Sequence, residues 1–282
     1  MGTAALKTAV LAPVAPLPSG ADASASARDE NFYVFLALGQ SNMEGFPGIE
    51  ERDKGPVDKR FRVLAAVDFP DQKRQRGRWY AAVPPLARPG TGLGPSDYFG
   101  RTMAARLPAR VRVGVVNVAV AGCKIELFDE DQCAAYARTA PPWMKNIIAA
   151  YGGNPYRRLV ETARLAQRDG VIRGVLLHQG ESNANDREWP GKVRRVYDAL
   201  VRDLGLNPRE VPLLAGELVG ADQDGACAGM NAVIRTLPDA IPNSHVISSA
   251  GCASLPDRLH FAPAGYRELG RRYAEKMLAL LG

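Results

Sequence analysis

The chain has 282 residues, of which 46% are hydrophobic and 23% are charged, as in soluble globular proteins. This length allows one large α/β domain with a well-buried core, and no apolar segment approaches the roughly 20 residues that a membrane span requires. The net charge of +6 is spread along the chain, and its densest run, residues 73–78, is typical of a solvated loop, so we expect neither a nucleic acid nor a membrane as a partner.

The first thirty residues differ in composition from the rest of the chain. Lys7 precedes a short apolar stretch, residues 8–17, which is interrupted by Pro13 and Pro16 and followed by a run rich in alanine, serine and glycine. This pattern resembles a secretory signal or its remnant, and a disordered leader is the alternative. We therefore expect residues 1–30 to be a leader, and the protein to be secreted or periplasmic.

The unbroken apolar run at residues 32–38 predicts a strand that is buried on both faces. It leads into the heptapeptide Gly39–Gly45, whose third residue is Ser41. Flanking glycines permit a tight turn that lifts a small nucleophile out of the strand, and ligands of open α/β sheets bind beyond the carboxyl ends of strands. Ser41 is therefore a candidate nucleophile, provided that a base lies nearby; the alternative is a helix N-cap.

Predicted strands and helices alternate along the rest of the chain. Further buried strands are predicted at 111–120, 171–177, 212–218 and 244–249, with a short additional strand at 61–67. Helices are predicted at 94–107, 154–168, 188–204, 228–237 and 262–281. The remainder of 46–91 and all of 128–153 are predicted as loops. This alternation predicts a parallel sheet that is covered by helices on both faces.

Small or polar residues follow the ends of the predicted strands. They are Ser41, Gly122, Gln179 with Glu181, Glu217, and Asp257 with His260. Because the carboxyl ends of parallel strands meet at one edge of a sheet, we expect these residues to meet there although they lie far apart in sequence.

His260 is the best candidate base for Ser41 among the three histidines of the chain. Asp257 precedes it by three residues in a loop just before a helix, so the two side chains can meet across one turn. A carboxylate on one ring nitrogen leaves the other nitrogen free to accept a proton. The alternative is a helix-capping aspartate beside an exposed histidine. His178 follows a buried strand and fits a core histidine, and His245 has no nearby acid.

An ester-cleaving site also needs hydrogen-bond donors for the developing oxyanion. The candidates are the backbone N–H groups of Ser41 and Gly122 and the side-chain amide of Gln179. Glu181 has two interpretations: it orients Gln179 or its loop, or it competes with Asp257 as the partner of the base.

The four cysteines are Cys123, Cys133, Cys227 and Cys252. No pair has C-x-x-C spacing and no histidine lies at zinc-ligand spacing, so we expect neither a metal nor another cofactor. An even number of cysteines behind a leader favours two disulfides, which we expect to be Cys123–Cys133 and Cys227–Cys252. Four reduced thiols are the alternative.

Four blocks of this sequence resemble the SGNH hydrolase superfamily, and within it the carbohydrate esterase family 6 and sialate O-acetylesterase branch. The blocks are Gly39–Gly45, Gly92–Ser96, His178–Ser182 and Asp257–His260. The resemblance covers residues 31–281. It implies a three-layer α/β/α sandwich of flavodoxin type with a mostly parallel, five-stranded sheet, and metal-free deacetylation of sugars by one esterase domain, residues 31–282.

The resemblance also implies roles for individual residues by matching position. Ser41 matches the nucleophile, His260 the base, Asp257 its orienting acid, Glu181 an alternative acid, and Gly122 and Gln179 the oxyanion-hole positions. One block departs from the pattern of the branch, which commonly has Gly-Gly-Thr or Gly-Gly-Ser where this chain has Ala121-Gly122-Cys123.

We therefore expect a serine O-acetylesterase that acts on an acetylated polysaccharide, most simply acetylated xylan. A sialate O-acetylesterase is the nearest alternative because it shares these motifs. A non-catalytic carbohydrate-binding domain on a hydrolase scaffold is a more distant alternative, since such domains usually lose the nucleophile or the base. The oligomeric state cannot be predicted from this sequence.

Overall fold

A computed structural model describes residues 28–282 and contains a seven-stranded sheet. The strands are β1 (Phe32–Gly39), β2 (Phe61–Leu64), β3 (Trp79–Ala81), β4 (Arg112–Ala119), β5 (Val171–His178), β6 (Leu213–Gly216) and β7 (Ser244–Ile247). Their order across the sheet is β3-β2-β4-β1-β5-β6-β7. All neighbours are parallel except β2 and β3, which pair antiparallel.

Helices cover both faces of this sheet. The α-helices of the described residues are α1 (Ser41–Glu44), α2 (Glu51–Lys54), α3 (Pro95–Arg106), α4 (Cys133–Thr139), α5 (Pro142–Ala150), α6 (Pro155–Asp169), α7 (Trp189–Leu204), α8 (Met230–Ile234), α9 (Leu237–Ala240) and α10 (Pro263–Leu281). Helix α6 begins as its sequence predicts: Asn154 accepts the N–H of Arg157 at 2.9 Å, and Pro155 is the first helical residue.

The central strand β1 explains how the three layers are held together. Val34, Leu36 and Leu38 point into the apolar core beneath α6 and α7, whereas Phe35 and Ala37 point into the core beneath α3 and α10. Alternate side chains of a strand face opposite sides of its sheet, so a strand buried on both faces is apolar at every position. The predicted α/β/α sandwich is confirmed.

Three local predictions need correction. The sheet has two strands more than the predicted five, because β2 and the unpredicted β3 extend one edge; β3 has only three residues, too few for a periodic signal. Strand β2 ends at Leu64, earlier than predicted. The predicted loop at 128–153 contains α4 and α5, because Pro142 is the first residue of a helix and does not interrupt one.

The predicted disulfides are absent: all four cysteines, which lie within the described residues, are free thiols. Cys227 packs against the core beneath α6 and α7, whereas Cys252 belongs to the core on the opposite face of the sheet. The Cys123 thiol donates to the carbonyl oxygen of Gly39 at 3.8 Å, and Cys133 opens helix α4. The alternative of four reduced thiols therefore describes the structure.

The predicted leader, residues 1–30, lies outside the described residues except for its last three positions. Among the helices of residues 28–282, none is both long enough and apolar enough to span a membrane.

Candidate active site

Ser41 follows the carboxyl end of strand β1 and lies at the edge of the sheet where the parallel strands end. Gly39 has φ +151°, and a side chain there would collide with the carbonyl oxygen of His178 on β5, so the turn requires glycine. Ser41 then opens the short helix α1, whose N-cap residue is Gln40. The alternative of Ser41 as a helix N-cap is therefore wrong, and its hydroxyl has a different partner.

That partner is the imidazole of His260. Nε2 of the ring lies 2.8 Å from Oγ of Ser41, and Nδ1 lies 2.7 Å from Oδ2 of Asp257. Burial acts to raise the pKa of Asp257, but the hydrogen bonds from His260 and from the N–H of Leu259 outweigh it and hold the pKa below its ordinary value. When an ionised carboxylate, an imidazole and a hydroxyl are linked in this order, the imidazole can accept the proton of the hydroxyl.

The backbone N–H groups of Ser41 and Gly122 have no hydrogen-bond acceptor within the described part of the chain. Gly122 follows β4 with φ +67°, and a Cβ atom there would lie 2.7 Å from the ring of Trp143. Both residues line the same cavity. Unpaired donors beside a hydroxyl are suited to binding an oxyanion.

Gln179, predicted as a third oxyanion donor, is turned away from this cavity. Its Nε2 contacts three acceptors, which are Oε1 of Gln40 at 3.1 Å, the carbonyl oxygen of Cys123 at 3.2 Å and Oδ1 of Asn183 at 2.7 Å. Its Oε1 accepts the indole N–H of Trp189 at 2.5 Å. Since both amide hydrogens are used internally, the side chain braces the loops around the site and has no donor left for a ligand.

Glu181 lies in the site without touching His260, whose two nitrogens face Ser41 and Asp257. Its Oε1 accepts from Nδ2 of Asn42 at 2.5 Å. Burial raises the pKa of Glu181 to about 7, although the hydrogen bond from Asn42 opposes that shift. The interpretation of Glu181 as a competitor of Asp257 is not supported by this geometry.

Asn42 connects Glu181 to the loop that carries the base. The same Nδ2 donates to the carbonyl oxygen of Leu259 at 3.0 Å, and Oδ1 accepts the N–H of Phe261 at 3.4 Å. These two residues flank His260 in sequence. Glu181 therefore fixes an amide that binds the backbone on both sides of the base.

Two other residues that the sequence analysis singled out, His178 and Glu217, have structural rather than catalytic contacts. His178 is fully buried, and burial lowers its pKa to about 3, so it is a neutral core histidine. Glu217 binds Arg235 at 2.6 Å and the N–H of Ser249 at 3.1 Å, away from the cavity. Residues 28–282 contain no group of three or more His, Cys, Asp or Glu side chains placed to hold a metal ion.

A cavity of about 590 Å³ opens over Ser41 and His260. Its walls combine apolar side chains with charged ones, and include Phe46, Trp143, Ile147, Arg88 and Glu44. This size and mixed lining are those of a small-molecule site or of a cleft that admits one unit of a polymer.

A family model described as carbohydrate esterase, sialic acid-specific acetylesterase, matches residues 31–279. The chain belongs to this family. The resemblance drawn from the four sequence blocks is thereby confirmed.

Solved structures share the fold of this acetylesterase family member at low sequence identity. A protein of Arabidopsis thaliana has 22% identity and a TM-score of 0.66, with 89% of this chain and 99% of that chain covered. NanS has 17% identity and a TM-score of 0.61, with 90% and 98% covered. A carbohydrate acetylesterase from Xanthomonas citri has 20% identity and a TM-score of 0.59, with 86% of this chain but only 55% of that chain covered.

One charged pair in the cavity of this esterase escaped the sequence analysis. The guanidinium of Arg88 forms an ion pair with Glu44, whose carboxylate is almost fully buried. Burial raises the pKa of Glu44 to about 7, and the charge of Arg88 opposes the shift. Glu44 lies one helical turn after Ser41, so its position near the site was predictable, whereas Arg88 comes from the long irregular region and carries no sequence signal.

Proposed function

We propose that the protein is a serine carbohydrate O-acetylesterase that removes acetyl groups from acetylated xylan. The observation that carries this proposal is the continuous contact from Asp257 through His260 to Ser41, at the base of a cavity that also presents two unpaired backbone N–H groups. This combination performs acyl transfer without a metal or another cofactor.

The first half of the reaction forms an acetyl-enzyme. Oγ of Ser41 attacks the acetyl carbonyl carbon while its proton passes to Nε2 of His260. The N–H groups of Ser41 and Gly122 stabilise the oxyanion. The bond from the carbonyl carbon to the sugar oxygen then breaks, and the leaving oxygen takes the proton from His260.

The second half releases acetate. A water molecule gives a proton to Nε2 of His260 and attacks the acetyl carbon, and the same two N–H groups hold the second oxyanion. The bond to Oγ breaks, and Ser41 recovers its proton from the imidazolium. Asp257 stabilises the imidazolium in both halves without taking its proton.

A sialate O-acetylesterase is the second candidate function. The description of the matching family names sialic acid, and the cavity contains the cation Arg88, which would attract the carboxylate of an acidic sugar. Because Arg88 is already paired with Glu44, we keep a neutral acetylated polysaccharide as the first candidate. A non-catalytic binding domain would have no need of the intact contact chain to Ser41.

We also propose that residues 31–282 act as one esterase domain and that the protein is secreted or periplasmic. The composition of the leader supports this location, whereas the four free thiols do not. Detection of the mature N-terminus in the culture medium or periplasm, rather than full-length protein in the cytosol, is the test of location.

The decisive experiment measures acetate release from acetylated xylan and from O-acetylated sialic acid by the wild-type and Ser41→Ala proteins. Release from xylan that disappears in the variant supports the proposal. Release from sialic acid alone keeps the mechanism and replaces the substrate. No release from either substrate by folded wild-type protein overturns the esterase proposal and favours the binding domain.

A further inference from the structure

Two aromatic side chains on the cavity walls are exposed to an unusual degree. Phe46 is 55% exposed and Trp143 is 52% exposed, and among the described residues the third large exposed apolar side chain, Leu280 at 38%, lies on α10 outside the cavity. Single exposed apolar side chains are common on protein surfaces, but two exposed aromatic rings on the walls of one cavity offer an apolar surface to a ligand.

Phe46 is stacked on the base. Its ring is nearly parallel to the imidazole of His260, with an interplanar angle of 11° and 3.8 Å between the ring centroids. The backbone just before it is held in place, because Gly45 accepts the N–H of Gly92 at 2.6 Å. The ring is therefore a fixed wall on the His260 side of the cavity.

Trp143 lines the same cavity and lies against Gly122, the proposed oxyanion donor. Its six-membered ring fills the space where a Cβ atom of Gly122 would lie. The helix that carries it, α5, is anchored by the buried side chains of Met144 and Ile148. Each of the two exposed rings thus packs on a different part of the proposed machinery around Ser41.

We infer that Phe46 and Trp143 form a sugar-binding subsite, in which the apolar C–H faces of the acetylated sugar ring and its neighbour contact the two aromatic rings. This inference rests on the proposed esterase function and names the chemical feature by which the substrate is recognised. Rigid aromatic side chains bury a large apolar area with little loss of conformational entropy, and they leave the sugar hydroxyl groups at the ring edge free for polar contacts.

The polar groups of the same cavity favour a sugar over a long acyl chain. Thr91 and Ser182 line the cavity, and their hydroxyl groups donate to the carbonyl oxygens of Arg88 and Gly122, each at 2.8 Å. The oxygen atoms of these hydroxyl groups can still accept hydrogen bonds, and a fatty acyl chain would cover them without supplying a donor, which carries a desolvation cost. Sugar hydroxyl groups would pair with them while the ring faces contact Phe46 and Trp143.

The first test compares kcat/KM for two acetyl esters: the sugar ester that the wild-type protein hydrolyses, and 4-nitrophenyl acetate, which lacks a sugar. For Trp143→Ala we expect the ratio of sugar ester to 4-nitrophenyl acetate to fall about 10-fold, as for the loss of one aromatic contact. Trp143→Phe keeps a ring and should retain most of the ratio, and Leu280→Ala, which removes the exposed side chain outside the cavity, should not change it.

The second test measures binding directly. The Ser41→Ala protein is titrated with an unacetylated xylo-oligosaccharide, and the tryptophan fluorescence is followed. Of the three tryptophans, Trp189 is fully buried and Trp79, which donates to Asp169, does not line the cavity, so a saturable change is expected from Trp143. The change should disappear in the Trp143→Phe background, while binding measured by calorimetry persists there and is about 10-fold weaker in the Trp143→Ala background.

The outcomes separate this inference from the proposed function. Acetate release by the wild type with an unchanged substrate ratio in Trp143→Ala and Phe46→Ala would overturn the subsite and leave the esterase intact. If kcat/KM of these two variants fell only for 4-nitrophenyl esters of longer acids, the subsite would also be overturned, because the rings would then bind an acyl chain. If the wild type releases no acetate, the esterase proposal fails, and the titration alone decides whether the rings bind a sugar.

Discussion

Asp257 holds His260 through both of its carboxylate oxygens: Oδ2 lies 2.7 Å from the ring nitrogen Nδ1, and Oδ1 accepts the backbone N–H of His260 at 3.0 Å. Oδ1 also accepts the N–H of Leu259 at 3.0 Å. The residue therefore shapes the loop with one oxygen and orients the ring with the other. This division allows the two contributions to be separated by substitution.

Asp257→Asn should abolish most of the activity while preserving the fold. The amide oxygen of asparagine can still accept the two backbone N–H groups, but its NH₂ would face Nδ1 and favour the wrong tautomer, and we expect kcat/KM to fall about 10³- to 10⁴-fold. Steady-state kinetics on an acetyl ester, with circular dichroism to verify the fold, is the measurement. If Glu181→Gln is as damaging as Ser41→Ala while Asp257→Asn is mild, the assignment of the acid is wrong.

Glu181 should make stability depend on pH near neutrality. Burial raises its pKa to about 7, from an ordinary value of 4.5, so the folded protein holds the proton more tightly than the unfolded chain. Its contribution to stability is therefore complete below about pH 4.5 and is lost as the pH rises through about 7. The total loss in the free energy of unfolding is about 3 kcal/mol.

Thermal denaturation of the wild-type and Glu181→Gln proteins at several pH values is the measurement. Glutamine at this position does not ionise, so the stability of the wild type relative to the variant should decrease from pH 5 to pH 8. A difference that is independent of pH would mean that Glu181 keeps its ordinary titration.

Arg88→Ala should destabilise the protein at alkaline pH because it leaves the carboxylate of Glu44 buried and unpaired. At pH 8 we expect a loss of about 3 kcal/mol in the free energy of unfolding. At pH 5 the loss should be smaller, because Glu44, with a pKa raised to about 7 by burial, is then protonated.

The double variant Glu44→Gln/Arg88→Ala is the control for this ion pair. It removes the charge together with its partner, so most of the stability at pH 8 should return. Chemical denaturation of the wild type, the single variants Glu44→Gln and Arg88→Ala, and the double variant gives the coupling free energy. Equal losses in Arg88→Ala and in the double variant would show that the pair has no role in stability.

Gly122→Ala should lower kcat more than it raises KM, because the added methyl group meets the ring of Trp143 and displaces the N–H that we propose binds the oxyanion. The loss of one such donor costs about 10²- to 10³-fold in kcat. Gly153→Ala is the matched control: Gly153 also has positive φ, at +83°, but a Cβ there meets no atom within 4 Å. Similar kinetics for the two variants would remove Gly122 from the proposed machinery.

Reducing agents should not change the melting temperature, since the four thiols are free. In the native protein only Cys227 is partly exposed, because the other three cysteines are buried. Titration with a thiol reagent should therefore label Cys227 first and all four cysteines after denaturation. Fewer reactive thiols in the denatured, unreduced protein would reveal a disulfide.

The α/β/α sandwich could be predicted from the sequence, and so could the proximity of Ser41 to Asp257 and His260. Both predictions rest on the same pattern. Continuous apolar runs identify strands buried on both faces, and the polar residues that follow such strands necessarily share one edge of the sheet. Proximity along the chain also indicates Asp257 as the partner of His260, because three residues span one turn.

Side-chain directions could not be predicted in the same way. Gln179 occupies the expected strand end, but its amide turns to the internal acceptors of Gln40 and Asn183, which only the packed loops reveal. The disulfide prediction failed because sequence spacing does not show that Cys227 and Cys252 lie on opposite faces of the sheet.

The central place of β1 in the sheet has a consequence for how the chain acquires its structure during synthesis. This strand is made before its two neighbours, yet it pairs with β4, which starts at Arg112, and with β5, which starts at Val171. Until both have left the ribosome, an apolar segment with two unpaired edges stays exposed to other chains. We expect refolding from denaturant to be slow and to lose yield at high protein concentration, since such distant pairings close late.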